Sequence, residues 1–156
     1  MVNMMNKVDM KRNENEIDSY ISILREHGLK VTEKRLGILG VLGDCKYPVD
    51  VKGICEGLSG IGICVNLSTV YRALESLVAV GVVNRMNFSG DARVFYELSN
   101  ADHRHFLHCL VCGELVSIEG CPLGDYQLDL ASETNYRVVG HHLDLYGYCP
   151  KCQVKK

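Results

Sequence analysis

Apolar residues along this chain recur first at helical spacing and later at strand spacing. Ile17, Tyr20, Ile21 and Leu24 share one face of a helix predicted from about Glu16 to His27. Gly28 follows, where a glycine closes a helix at its C-terminus. Thr32 is placed to cap a second helix, Glu33 to about Leu42, and Pro48 and Asp50 introduce a short third one, Val51 to about Leu58. Val70, Leu74, Leu77 and Val78 repeat at helical spacing through a fourth, with Ser68 or Asn66 as its cap and Gly81 at its end. The period then changes. Val82 to Phe88 reads as a strand, Ser89-Gly90-Asp91 as a turn and Ala92 to Leu98 as the return strand. Short helices followed by a β-hairpin make a winged helix-turn-helix pattern.

The remaining third has a different texture. Strand candidates at Phe106–Leu110, Glu114–Ile118 and Arg137–Tyr148 surround one helical stretch, roughly Pro122 to Thr134. The predicted fold class is α+β: an N-terminal winged helix-turn-helix and a small C-terminal α/β domain. Residues 1–14, polar and mixed in charge, are expected to be a flexible N-terminus, 15–98 a winged-helix DNA-binding domain and 99–156 a metal-binding domain. The boundary falls near Ser99–Asp102.

Charge narrows the choice. The formal net charge is −2, and residues 1–98 hold 12 Lys+Arg against 12 Asp+Glu. That balance excludes a generally basic nucleic-acid coat, so any DNA-binding surface must be local. The first turns of the fourth helix present Ser68, Thr69, Tyr71 and Arg72, the part of a recognition helix that enters the major groove. Tyr71 suits a thymine methyl or a phosphate, and Arg72 a phosphate or a guanine. Lys30, Lys34 and Arg35 flank the second helix, and Arg85 and Arg93 lie on the hairpin, where each can add a phosphate contact. The competing reading is an amphipathic helix with a solvated face.

Eight cysteines would suit four disulfides in a secreted chain. However, no apolar signal region follows Met1, and no apolar run reaches the roughly 18–20 residues of a membrane span. A cytoplasmic location with metal-bound thiolates is the expectation. Cys109-x-x-Cys112 and Cys149-x-x-Cys152 stand 36 residues apart. Two such turns deliver four sulfurs to one tetrahedral zinc. Two redox dithiols are the weaker alternative, because thioredoxin-like motifs sit at strand-to-helix junctions and these do not. Five of the six histidines, His103, His105, His108, His141 and His142, crowd the same region. Four thiolates already satisfy one zinc, so the histidines point to a second metal. His103 and His105 alternate along an extended segment, which turns both imidazoles to one side. Cys121, at the predicted helix start, is an extra candidate ligand whose softness favours zinc over iron or manganese.

Four segments together carry a resemblance. They are Gly28-Leu29-Lys30-Val31-Thr32-Glu33-Lys34-Arg35, then Leu67-Ser68-Thr69-Val70-Tyr71-Arg72-Ala73-Leu74, then His103-Arg104-His105 leading to Cys109-x-x-Cys112-Gly113, and last His141-His142-Leu143-Asp144-Leu145-Tyr146-Gly147-Tyr148-Cys149-x-x-Cys152. In this order the chain resembles the ferric uptake regulator family from about residue 17 to 153. The resemblance implies a homodimeric, metal-responsive repressor acting on a pseudo-palindromic double-stranded DNA operator, with residues 99–156 as its dimerisation domain. It implies a structural Zn2+ on Cys109, Cys112, Cys149 and Cys152. It also implies a regulatory ion, Fe2+ or Zn2+ with Mn2+ and Ni2+ as further options, on Glu97, His103, His105 and His141. Ser117 stands where many members carry an acidic ligand, with Glu119 and Cys121 as the nearby replacements. Metal binding is expected to fix the two winged helices of a dimer on successive half-sites. A peroxide-responsive regulator using bound iron is one alternative, although Asp44-Cys45-Lys46-Tyr47-Pro48, between the second and third helices where a histidine ligand would be needed, offers only Asp44 and Cys45. A zinc-ribbon protein-interaction module without DNA binding is the other. An enzyme is not expected: no His-Glu-x-x-His motif is present, and neither a membrane nor a small organic substrate is implied.

Overall fold

The computed structural model describes residues 14–99, 104–141 and 143–153. The chain divides into two compact units, and the division is not a single cut. Residues up to Met86 and Arg93–Ser99 form the first unit, while Asn87–Ala92 group with the chain beyond Ser99 in the second.

The first unit runs α1 (Glu14–Glu26), α2 (Glu33–Asp44), the two-residue β1 (Val49–Asp50), α3 (Val51–Gly60), α4 (Leu67–Ala79), β2 (Val83–Asn87) and β3 (Val94–Leu98). Three helices start on side-chain caps that satisfy N–H groups with no intrahelical partner. Thr32 accepts from the Arg35 N–H, Asp50 from Gly53 and Asn66 from Thr69. Leu24 of α1, Leu39 of α2, Ile54 of α3 and Leu74 and Leu77 of α4 enclose one core. Gly57 permits α2 and α3 to meet, since a Cβ there would lie 2.7 Å from the Val41 side chain. Gly81, at φ +76°, turns the chain out of α4, and Val82 N–H donates to the Leu77 carbonyl at 3.0 Å to close the helix end. The strand order is β1-β3-β2, with Val49 opposite Tyr96 and Asp50 opposite Phe95. The predicted helices are present with ends moved by about two residues. β1 is too short to leave a periodic pattern.

The second unit holds β4 (His105–Cys109), β5 (Leu115–Ile118), α5 (Gly124–Thr134), β6 (Asp144–Gly147) and α6 (Pro150–Gln153). β4 is the middle strand, antiparallel to β5 and parallel to β6. A parallel neighbour requires a crossover, which the segment containing α5 provides. The strand expected over Arg137–Tyr148 is confined to Asp144–Gly147. Asn135, left-handed at φ 56°, ends α5, and the chain then runs without regular structure to Gly140.

Alternation along β4 gives its two faces separate tasks. Phe106 and His108, both buried, share one face with Phe88 from the hairpin tip. The Phe88 ring stands edge-on to Phe106 at 6.2 Å and stacks on His108 at 5.4 Å. Asp91 lies 3.6 Å from His108 Nε2. The Ser89 N–H donates to Asp144 Oδ2 at 3.0 Å, and its hydroxyl donates to the same oxygen. Six residues expected to belong wholly to the first domain are therefore built into the second unit. On the opposite face Leu107 pairs with Val116 on β5 and with Leu145 on β6, and all three are exposed. Helix α5 buries no residue.

Phe88→Ala removes the ring that holds the hairpin tip and is expected to destabilise the protein by about 3–5 kcal/mol, with Phe88→Leu costing less. Denaturant unfolding of the zinc-replete protein measures both.

Candidate metal centres and nucleic-acid face

The parallel pairing of β4 with β6 sets Cys109 beside Gly147, so the two strand ends that carry cysteine pairs lie together. After Cys109 the chain turns tightly: Gly113 N–H donates back to the Cys109 carbonyl at 2.9 Å, with Gly113 at φ +73°. After β6, Cys152 N–H donates to the Cys149 carbonyl at 2.8 Å as α6 begins, so this pair does stand at a strand-to-helix junction, contrary to the sequence expectation, and the case for a metal rests on the convergence of all four sulfurs. The four sulfurs converge within 4.8 Å of one another, with Cys112 and Cys149 Sγ 3.6 Å apart. Zinc–sulfur bonds of about 2.3 Å in a tetrahedron place sulfurs about 3.8 Å apart, so the cluster fits zinc. Backbone N–H groups of Cys112, Cys149 and Val111 hold the Cys109 thiol down at about 6. Hydrogen bonding to Cys149, with burial, pushes Cys152 up to about 12, and burial raises Cys149. Four adjacent thiols in this balance do not all ionise at neutral pH without a cation among them.

A second group forms where three separate segments meet. His105 opens β4, Cys121 precedes α5, and His141 lies between α5 and β6. His141 Nε2 is 3.0 Å from His105 Nε2 and 3.3 Å from Cys121 Sγ, and the two imidazoles stack at 4.9 Å. Nitrogen and sulfur ligands of a tetrahedral zinc lie about 3.3–3.6 Å from one another. The donors present therefore fit a first-row divalent ion and leave one position of a tetrahedron for a fourth ligand. His105 and Cys109 lie on the same face of β4 as Leu107, four residues apart, so the two groups stand about 13 Å apart along the strand.

Among the described residues, these are the two groups of cysteine, histidine and carboxylate side chains whose donor atoms converge. The structure thus assembles Cys109, Cys112, Cys149 and Cys152 in one, and His105, Cys121 and His141 in the other. Glu119 is exposed and joins neither. Glu97 is buried on β3 in the first unit. His103 lies outside the described residues. His108 serves the hairpin tip.

Helix α4 turns Val70, Ala73, Leu74 and Leu77 inward and leaves Ser68, Tyr71 and Arg72 exposed. Lys30 is also exposed. Three other candidates for DNA contact have partners inside the first unit. The Thr69 hydroxyl donates to Asn66 at 2.7 Å as part of the cap. Arg35 donates to the Lys30 carbonyl at 2.8 Å and to the Ser76 hydroxyl at 3.2 Å, which braces α2 against α4. Arg93 pairs with Asp50 at 3.1 Å and lies over the Phe95 ring. Charge counting along a sequence cannot see such partners. Gln127, whose side-chain amide lies 2.6 Å from His141 Nδ1, escaped the sequence reading because a glutamine on a helix ordinarily faces water.

A family model described as the ferric uptake regulator family matches residues 26–146. The ferric uptake regulation protein of Legionella pneumophila is 34% identical over 131 residues, covering 83% of this chain and 96% of that protein. Among solved structures, the Vibrio cholerae ferric uptake regulator is 34% identical with a TM-score of 0.73, covering 82% of this chain and 98% of that one. The Pseudomonas aeruginosa ferric uptake regulator with manganese is 30% identical, also with a TM-score of 0.73, covering 84% and 98%. Among the described residues, no helix is long and apolar enough to cross a membrane.

The thiol balance gives a proton count. Cys149 and Cys152 are raised above 9, so both carry protons at pH 7 in the metal-free chain, whereas Cys109 at about 6 is largely thiolate. Zinc binding at pH 7 should release at least the two protons of Cys149 and Cys152, and acidification should expel the metal. Calorimetric titration in buffers of different ionisation enthalpy gives the number; release of none would contradict these protonation states.

Proposed function

As a member of the ferric uptake regulator family this chain is a metal-responsive transcriptional regulator, and we propose that it is a homodimeric repressor whose signal is a divalent metal held by His105, Cys121 and His141. The approach of these three donors, 3.0 and 3.3 Å apart, carries the reading. Cys109, Cys112, Cys149 and Cys152 are assigned a permanent structural zinc. Their task is to tie the end of β4 to α6, a crosslink that a small sheet with one uncovered face needs. The regulatory ion supplies positive charge at the meeting point of three segments. His105 brings β4, Cys121 the start of α5 and His141 the approach to β6, so occupancy favours one arrangement of all three. A metal shifts such an equilibrium only by its differential affinity for that arrangement. The Cys121 thiolate is a soft donor beside two imidazoles, which favours zinc over iron or manganese. Iron is the second reading, supported by the names of the relatives.

Support for a dimer comes from the exposed row Leu107, Val116 and Leu145 and from α5, whose Leu128 is 72% exposed. Monomers rarely leave so many large apolar side chains open, and a second copy would cover them with the same surface. The exposed Ser68, Tyr71 and Arg72 on α4 are assigned to the major groove and Lys30 to phosphate. Two copies related by a two-fold axis then read a pseudo-palindrome. Cysteines paired at metal-ligand spacing support a cytoplasmic location.

Operator binding, followed by fluorescence anisotropy while Zn(II), Fe(II), Mn(II) and Ni(II) are titrated into dimer that retains its four-cysteine zinc, tests the reading. Tight binding should require the second metal, be strongest with zinc, and fall linearly with the logarithm of salt. Joint replacement Tyr71→Ala and Arg72→Ala should abolish DNA binding and spare the dimer. Unchanged operator affinity after a chelator empties the His105–Cys121–His141 group would rule out the assigned switch.

A further inference from the structure

We propose that Gln127 is a positioning residue for the regulatory metal: it fixes the proton of His141 on Nδ1 and thereby aims the Nε2 lone pair at the ion. The inference rests on the reading of His105, Cys121 and His141 as the metal site. A neutral imidazole carries one proton and one lone pair on its two nitrogens. His141 Nε2 is the nitrogen that faces the other donors, 3.0 Å from His105 and 3.3 Å from Cys121. To serve as a ligand it must be unprotonated, so the proton must sit on Nδ1. That nitrogen lies 2.6 Å from Nε2 of the half-buried Gln127 amide, and the role needs the carbonyl oxygen in that place. The two ends of an amide exchange by a half-turn about its last bond. With the carbonyl oxygen turned to Nδ1, the N–H donates to it and the ligating tautomer is selected.

Two features sharpen the role. Helix α5 buries no residue, so the amide contact is a tether between that helix and the metal donors. The acceptor is also a neutral amide rather than a carboxylate. A carboxylate would add negative charge beside the Cys121 thiolate and hold the metal more tightly. The amide orients the imidazole without adding that charge, which suits a site that must release its ion.

Three full-length dimers test this, each retaining its four-cysteine zinc: the parent, Gln127→Met, which keeps the length but accepts no proton, and Gln127→Glu, which restores an acceptor. Zn(II) affinity at the second site is read by competition with a chromophoric chelator. The Met variant should bind about 10–100-fold more weakly, and the Glu variant should match or exceed the parent. Long-range ¹H–¹⁵N spectra recorded before the second zinc is added should show His141 protonated on Nδ1 in the parent and the Glu variant, and that preference should be lost in the Met variant. Unchanged affinity and tautomer in the Met variant overturn the role of Gln127 alone. Equal weakening in both variants reduces it to packing and overturns the proposal too. A parent that binds no second zinc defeats the metal-site reading itself and this inference with it.

Discussion

The alternation of side chains along five-residue β4 is the constraint on which the second unit depends. One face carries His105, Leu107 and Cys109, and the other carries Phe106 and His108. The first face therefore holds one donor for each of the two convergent groups at its ends and an apolar residue between them. The second face receives the ring of Phe88. A slip of one residue in the pairing with β5 or β6 would turn the metal donors toward the hairpin tip and the clamp toward solvent. The antiparallel pairing with β5 and the parallel pairing with β6 prevent that slip. Coordination by four sulfurs would hold the far end of the same strand in register. A metal there and the sheet would restrain the same few ångströms of backbone.

The first unit rests on different physics. Its helices begin on Thr32, Asp50 and Asn66 and close over an aliphatic core. What it offers a partner is the face of α4 left over once Val70, Ala73, Leu74 and Leu77 are buried. Several of its charges are spent internally. Asp50 caps α3 with one oxygen and receives Arg93 with the other, and Arg35 ties α2 to α4. A net charge near zero is thus compatible with a small DNA-reading surface built from a few exposed groups. The hairpin that follows α4 contributes its strands to this unit and its tip to the other.

Local spacing made much of this legible before any coordinates. Helices whose apolar residues recur every three or four positions, and whose caps and closing glycines sit at their ends, could be placed to within about two residues. The Cys-x-x-Cys pairs pointed to one four-sulfur group because each pair is confined by its own turn, and the four sulfurs do converge. Other features had no local signature. Cys121 and His141 stand 20 residues apart and meet through a 3.3 Å approach that no spacing encodes. Glu119 is the equal of Cys121 on paper, yet it projects into solvent. Arg93 reads as a wing charge and is in fact the partner of a helix cap.

Residue periodicity, capping chemistry and paired thiols, all short-range properties of the chain, were determined by the sequence itself: an α+β protein with a winged-helix pattern, a four-cysteine group and a surplus of histidines. The tertiary structure alone decided which of the surplus donors converge, which charges are already paired, and that Phe88 belongs with β4. The physical reason is range. A helix turn or a Cys-x-x-Cys loop is set by neighbours a few residues away. A three-segment donor group or a docked hairpin tip depends on strand register and on a crossover more than 30 residues long between β4 and β6. Side chains that far apart acquire a common purpose only when the sheet sets them side by side.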